Sequence, residues 1–219
     1  TTLTRSGTAH CYSMPLYYLI LAERMGAEAY WSFSPKHSFI KIKDEENNWY
    51  NIELTCKSFL SDPHYMNSSY IKAEAIQNRI YLEPIDKKDA VANMLLSLAR
   101  GYWNKYGYDD FYLKCVNTAA AYLPNEIDPL ILQAAYQTRL TLTIAHLLGA
   151  KNPTELEKLS PEAYQHHVQM LAIYDKIDNL GYEELPEEIY AQWLNYLERQ
   201  KEKAKKMPTI FFKNLNEKR

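Results

Sequence analysis

The spacing of hydrophobic residues changes once along the chain, near residue 85. Before that point, the segments HSFIKIK at 37–43 and WYNIELT at 49–55 alternate apolar and polar positions, which is typical of half-buried strands. The polar residues DEENN lie between them and predict a turn. We therefore expect two antiparallel strands in the first part of the chain.

An apolar segment, MPLYYLILAERM, precedes these strands at residues 14–25. Pro15 is tolerated in the first turn of a helix, and Gly26 is a common residue just past a helix end. Because almost every face of the segment is apolar, it predicts a buried central helix. A helix followed by an antiparallel sheet gives an α+β core.

Beyond Pro84 the alternation disappears, and apolar residues follow helical spacing instead. Sequence breaks at 106–107, 124, 149–153, 181 and 186 predict about five helices. The amphipathic spacing is clearest in three sets: Leu95, Leu98, Ala99 and Tyr102; Met170, Ile173, Tyr174 and Ile177; Ile189, Trp193, Tyr196 and Leu197. We expect an α+β domain at 1–85 and an all-α helical domain at 86–219.

The helical domain has two possible architectures. Residues 120–137, AAYLPNEIDPLILQAAYQ, are similar to a tetratricopeptide unit. Repeat proteins show such units at a fixed period, and no fixed period is found here. A helical bundle is therefore the main expectation, and a tetratricopeptide-like region is the alternative.

Composition excludes several classes of partner. The chain has 219 residues, of which 47% are hydrophobic and 24% charged, as in globular proteins. Its formal net charge of −2 gives no basic field, so we expect no nucleic-acid partner. No apolar stretch reaches the roughly 18 residues that a bilayer requires, so we expect a soluble chain without membrane association.

The histidines and cysteines show no metal-binding spacing. The six histidines lack patterns such as H-E-x-x-H, and the three cysteines lack paired C-x-x-C motifs. We expect neither a metal site nor a cofactor. Because Cys11, Cys56 and Cys115 cannot all pair within one chain, at least one thiol is expected to be free.

Cys11 lies just before the predicted helix, where unpaired backbone N–H groups and the helix dipole stabilise negative charge. Because the thiolate is the reactive form of cysteine, this position favours a nucleophile. A lone cysteine is more often a small buried apolar residue, and that is the alternative for Cys11 taken alone.

Strand parity places a base and an acid on one face of the predicted hairpin. His37 shares that face with Asn51 and Glu53. Pairing of Lys43 with Trp49 would put His37 diagonal to Glu53, about 7 to 8 Å away between backbones, a separation that side chains can close. The carboxylate could then fix the imidazole tautomer, so that the other nitrogen faces a nucleophile. Asn51 could take this role instead, and a solvated surface pair is a further alternative.

With these residues in place, the segment from Gly7 to about Pro84 resembles the transglutaminase-like superfamily of papain-like folds. It is most similar to bacterial proteins in which such a core precedes a helical, tetratricopeptide-like region. The resemblance follows the family's order of cysteine, histidine and acid in GTAHCYSMPLYYLILAERMGAEAY, SPKHSFIKI and WYNIELT. The last segment matches a typical Trp, Asp and Thr pattern with Trp49, Glu53 and Thr55, where Glu replaces Asp.

The resemblance implies that Cys11 is the nucleophile, His37 its base and Glu53 the acid that orients the base. Such a cysteine peptidase or transglutaminase-like hydrolase would cleave an amide of a peptide or protein substrate, or transfer its acyl group. The family usually has an oxyanion-stabilising side chain upstream of the cysteine, and His10 is the candidate here, together with the Cys11 backbone N–H. The alternatives are an inactive scaffold or a helical adaptor that binds a peptide or protein partner through its helical region.

Overall fold

The computed structural model describes residues 5–124 and 126–206. Its architecture is α+β, with a four-stranded antiparallel sheet followed by a helical region, in agreement with the sequence. The elements occur in the order α1 (Ser13–Arg24), β1 (Tyr30–Ser34), β2 (His37–Lys43), β3 (Trp49–Glu53), β4 (Ser58–Leu60), α2 (Asp62–Ser68), α3 (Ala73–Gln77), α4 (Lys87–Tyr106), α5 (Asp110–Tyr122), α6 (Ile127–Leu148), α7 (Pro153–Leu159), α8 (Pro161–Asn179) and α9 (Glu187–Lys206).

Contacts group these elements into two compact units. The described part of the first unit comprises residues 5–71, 81–84 and 184–206, and the second comprises 72–80 and 85–183, with residue 125 not described. This grouping differs from the predicted division at residue 85, because helix α9 packs with the first unit and helix α3 with the second. The spacing of apolar residues identifies a helix but not the unit that it joins.

The predicted hairpin forms between β2 and β3 with the expected register. Lys43 pairs with Trp49, so the polar segment between them makes the turn. The Asp44 carboxylate accepts hydrogen bonds from the backbone N–H groups of Glu46 and Asn48, at 2.9 and 2.8 Å. These side chain to backbone bonds fix the turn and therefore the pairing of the strands.

Two further strands, β1 and β4, extend the sheet on either side of the hairpin. Neither was predicted as a strand from alternation. Strand β1, YWSFS, is largely buried on both sides, and β4 has only three residues. Apolar and polar residues alternate only in a strand that has one solvent-facing side, and the alternation can be recognised only over several residues. The sequence pattern therefore does not identify either strand.

Helices cover both faces of this sheet within the first unit. Tyr12, at the start of α1, packs edge-on against Trp31 of β1 at 4.5 Å between ring centres. Phe39 of β2 points to the opposite face, because Trp31 pairs with the residue after Phe39. There Phe39 stacks on Tyr65 of α2 at 4.1 Å, and Tyr65 lies 5.8 Å from Trp193 of α9.

Helix α1 is less buried than the sequence predicts. Pro15 and Ala22 are its buried residues, whereas Ile20, Leu21 and Met25 are exposed by 54%, 42% and 81%. The expectation of a buried central helix is therefore wrong for one side of the helix. A helix that packs on a single sheet buries only the side that faces the sheet. Apolar residues on its other side stay exposed.

The second unit is helical, and the predicted breaks at 106–107, 124, 149–153 and 181 all fall at helix ends or between helices. One further break was not predicted, where Ser160 caps α8 and Pro161 begins it. The core lies mainly between α4, α5 and α6, with these buried residues: Ala92, Leu96, Ala99, Tyr112, Cys115, Val116, Ala119, Leu123 and Leu132. Among the described helices, none combines the length and apolar character needed to cross a membrane.

Candidate active site

The structure brings Cys11, His37 and Glu53 together in the first unit. Cys11 lies just before α1, His37 opens β2 and Glu53 closes β3. Nε2 of His37 lies 2.6 Å from Oε2 of Glu53, and Cys11 is near enough to the His37 ring to raise its pKa. Because Nε2 contacts Glu53, Nδ1 is the nitrogen left for the thiol. The contacts therefore follow the predicted order of cysteine, histidine and acid.

The position of Cys11 is fixed through its backbone. Its carbonyl oxygen accepts a hydrogen bond from Oγ of Ser38 at 2.7 Å, and Ser38 directly follows His37 in β2. The N–H of Met14 donates to the carbonyl of His10 at 3.1 Å, which begins the first turn of α1 around the cysteine. The segment before the helix is thus anchored to the strand that carries the histidine.

The three thiols differ in accessibility. All three cysteines are free; Cys11 is partly exposed, whereas Cys56 and Cys115 are buried. Burial raises the pKa of Cys56 and of Cys115, which keeps both as unreactive thiols. Cys11 is therefore the thiol that a solution reagent or substrate can reach.

Glu53 is a buried carboxylate with three hydrogen-bond donors. Oε2 accepts from His37 and from the Tyr65 hydroxyl at 3.0 Å, and Oε1 accepts from the Thr55 N–H at 2.9 Å. Burial alone would raise the pKa of Glu53, but hydrogen bonding to His37 and the positive charge of His37 lower it overall. Glu53 is thus ionised at neutral pH.

The two partners of His37 together outweigh the effect of its burial on its pKa. Burial alone would lower the pKa of His37, but hydrogen bonds to Cys11 and Glu53 and the charge of Glu53 raise it to about 9. The His37 and Glu53 side chains are exposed by only 2% and 0%, so the alternative of a solvated surface pair is wrong. The imidazole carries both ring protons at neutral pH.

Asn51 does not orient His37, which was the alternative role considered for it. Its Nδ2 donates to Oδ1 of Asp62 at 2.7 Å, and the Lys41 ammonium donates to the same carboxylate at 3.0 Å. Asn51 therefore belongs to a separate polar cluster. Of the two candidates on this face, Glu53 is the one that contacts His37.

Two aromatic residues beside the pair were not predicted as site residues. Tyr65 is fully buried and donates its hydroxyl to Glu53. Trp193 of α9 is 2% exposed, and its ring meets the His37 ring edge-on at 5.4 Å. Together they exclude water from the contact between His37 and Glu53. The amphipathic spacing around Trp193 was visible in the sequence, but nothing there indicated which surface it covers.

The upstream candidate His10 does not contact the reacting groups. Its side chain is exposed, and its Nδ1 accepts a hydrogen bond from the backbone N–H of Tyr12 at 3.2 Å. Among residues 5–124 and 126–206, no group of three or more histidine, cysteine or acidic side chains is arranged to hold a metal ion. The reactive groups that the site presents are a thiol, an imidazole and a carboxylate.

The arrangement suits nucleophilic catalysis. A thiol that is hydrogen-bonded to an imidazole can pass its proton to the ring and attack an electrophilic carbon, provided that the ring is oriented from its other side. A buried carboxylate gives that orientation here. Comparisons of the chain with protein-family profiles, with curated proteins and with solved structures found no match.

Proposed function

We propose that this chain is a thiol-dependent amide hydrolase or acyltransferase, a cysteine peptidase or transglutaminase-like hydrolase with Cys11 as nucleophile, His37 as base and Glu53 as orienting acid. The observation that carries the proposal is the buried 2.6 Å contact between His37 and Glu53, with Cys11 anchored to the residue after His37 by the 2.7 Å hydrogen bond from Ser38. The three side chains come from distant parts of the sequence, and one of them is the accessible thiol of Cys11.

The reactive form in this proposal is a Cys11 thiolate beside a His37 imidazolium. The pKa of His37 is about 9, so its ring retains both protons at pH 7. A cationic imidazole next to a cysteine stabilises negative charge on the sulfur. In this form the imidazolium keeps Nδ1–H directed at the sulfur, ready for the leaving amine.

The first chemical step forms a thioester. The Cys11 sulfur attacks the amide carbonyl carbon, and the carbonyl π electrons move to oxygen. When this tetrahedral intermediate collapses, the C–N bond breaks and His37 gives its Nδ1 proton to the leaving amine. Water or another amine then attacks the thioester, with neutral His37 accepting the proton, and Cys11 is released.

Glu53 contributes orientation and charge in this scheme. Its carboxylate fixes Nε2–H, so that Nδ1 is directed at the sulfur throughout the cycle. Its negative charge also stabilises the imidazolium. Since Glu53 itself has two further donors, Tyr65 and Thr55, its position does not depend on His37 alone.

The resemblance of residues 7–84 to the transglutaminase-like superfamily is the second support for the proposal. A helix that begins two residues after the proposed nucleophile precedes an antiparallel sheet that carries the proposed base and acid, and the resemblance implies this order. We extend the resemblance to the substrate class and propose a peptide or protein amide. The partly exposed thiol is compatible with an extended chain as substrate.

Competitive alkylation tests the proposal. The protein is treated with iodoacetamide at pH 7, and peptide mapping gives the rate for each cysteine. Cys11 is expected to react at least about tenfold faster than Cys56 or Cys115, because the pKa of both buried thiols is raised. His37→Ala should slow the reaction of Cys11 and so reduce this preference, because the imidazole beside the sulfur is lost. His146→Ala, at an exposed histidine of α6, is the matched control and should keep it.

A second candidate function is partner binding through the helical unit. It is favoured by a stripe on α4 in which Val91, Met94 and Leu98 are exposed by 59%, 47% and 50%. In that case the first unit would be an inactive scaffold. Equal, slow alkylation of all three cysteines would contradict the enzymatic proposal and favour this scaffold.

A further inference from the structure

Helix α9 forms part of the surroundings of the candidate site. At its start, Glu187 accepts from the Lys36 ammonium at 2.6 Å, and Lys36 directly precedes His37. Further along the helix, Trp193 packs on the His37 ring. Tyr190 lies three residues before Trp193, so the two side chains point to the same side of the helix.

Tyr190 lies near the reacting sulfur. The Lys36 ammonium is 5.5 Å from the centre of the Tyr190 ring, and the tyrosine interacts electrostatically with Cys11. The side chain is half-buried. Among the described residues, its hydroxyl has no hydrogen-bond partner, so it is available to a bound substrate. Burial raises the pKa of Tyr190, which keeps the hydroxyl protonated as a donor.

The proposed chemistry requires such a donor. Attack on a carbonyl produces an oxyanion, and sites of this kind stabilise it with N–H or O–H groups placed beforehand. His10, the upstream candidate, is exposed, and its Nδ1 is engaged by the Tyr12 N–H. We propose that Tyr190 is the oxyanion-stabilising side chain of this site. The inference rests on the proposed function of Cys11 and deepens it.

The step is the acylation described above. As the Cys11 thiolate forms its bond to the carbonyl carbon, negative charge appears on the carbonyl oxygen, and the Tyr190 O–H donates a hydrogen bond to it without losing its proton. The backbone N–H of Cys11 is the second donor. Collapse of the intermediate restores the C=O bond and expels the leaving group.

Two reactions of Cys11 distinguish oxyanion stabilisation by Tyr190 from a purely structural role of Tyr190. Acylation of Cys11 by p-nitrophenyl acetate passes through an oxyanion, whereas alkylation by iodoacetamide does not. For Tyr190→Phe, acylation is expected to slow by about 100-fold, as for loss of one oxyanion donor, while alkylation stays within about twofold. Tyr50→Phe is the control, because Tyr50 is a partly exposed tyrosine elsewhere in the first unit, and both of its rates should be unchanged.

The outcomes distinguish the inference from the function on which it rests. If the unmodified protein is acylated at Cys11 and Tyr190→Phe acylates equally fast, the inference is overturned and the proposed function stands. If Tyr190→Phe slows both reactions equally, Tyr190 only positions the thiol, and the inference is again overturned. If the unmodified protein shows no preferential reaction at Cys11 with either reagent, the proposed function itself fails.

Discussion

His37 links the stability of the fold to pH. Its pKa in the folded chain is about 9, above the value of about 6.5 for an unfolded histidine, so the native state binds the proton more tightly. This stabilisation is fully present below about pH 6.5 and is lost as the pH rises through about 9. Glu53 acts in the opposite direction: its lowered pKa gives stability that is present above its unfolded pKa and lost in acid.

Urea unfolding of the unmodified protein and of His37→Gln at several pH values measures this coupling. Between pH 6 and pH 9.5, the unmodified protein should lose up to about 3 kcal/mol more unfolding free energy than the variant, since each pKa unit corresponds to about 1.4 kcal/mol. Parallel curves for the two proteins would show that the native state does not hold the proton on His37.

The Tyr65 hydroxyl supports the carboxylate that orients His37. In Tyr65→Phe, Glu53 loses one of its donors while the ring that stacks on Phe39 stays. We expect a loss of about 1 to 3 kcal/mol in unfolding free energy, because a hydrogen bond to a buried charge is removed. Unchanged stability would mean that the hydroxyl contributes nothing to the site.

The residues of the site differ in how far the sequence indicates them. Cys11, His37 and Glu53 were identified because each occupies a position that local rules define: the start of a helix and one face of a hairpin. Tyr65 lies in a short helix that no periodicity marks, and it is one of nineteen tyrosines. Its role arises from a contact in three dimensions, which strand parity cannot supply.

For helix α9, the sequence predicts the helix but not the unit with which it packs. The spacing of Ile189, Trp193 and Leu197 predicted an amphipathic helix, and Trp193 and Leu197 are indeed buried. The sequence assigned this helix to the all-α domain, whereas it packs with the sheet of the first unit. Amphipathic spacing gives the buried side of a helix but not the surface that buries it.

Removal of the Trp193 side chain tests what α9 contributes. Trp193→Ala should lower the unfolding free energy by about 3 to 5 kcal/mol, because a large buried aromatic group is lost, and it should slow Cys11 alkylation by loosening the His37 ring. Trp103→Ala, at a 42% exposed tryptophan in α4, should cost about 1 kcal/mol or less and leave the alkylation rate unchanged. Equal effects of the two substitutions would contradict the role assigned to α9.

At the scale of the whole molecule, the first unit is assembled from both ends of the chain. Residues 184–206 complete the unit that contains the sheet, and the segment 85–183 forms most of the other unit. The buried thiols report on the two units separately, since Cys56 lies in the first and Cys115 in the second. Contiguous domains were predicted because composition and spacing are read along the chain, whereas contacts are not limited to neighbours in sequence.

A chain that ends at residue 183 should therefore lose the first unit and keep the second. We expect Cys56 to react with iodoacetamide as an exposed thiol in this truncated protein, while Cys115 stays protected in the core of α4, α5 and α6. Cys56 that remains protected would show that the sheet folds without α9. Exposure of both thiols would show that the second unit needs the removed residues.

If Cys11 is a nucleophile activated by His37, the protein should capture an acyl group covalently on this thiol. The protein is incubated with p-nitrophenyl acetate at pH 7, quenched in acid and mapped by mass spectrometry. We expect one acetyl group on Cys11, removable by hydroxylamine and absent from Cys11→Ser and His37→Ala. No acetylation of Cys11, or equal acetylation in His37→Ala, would contradict it.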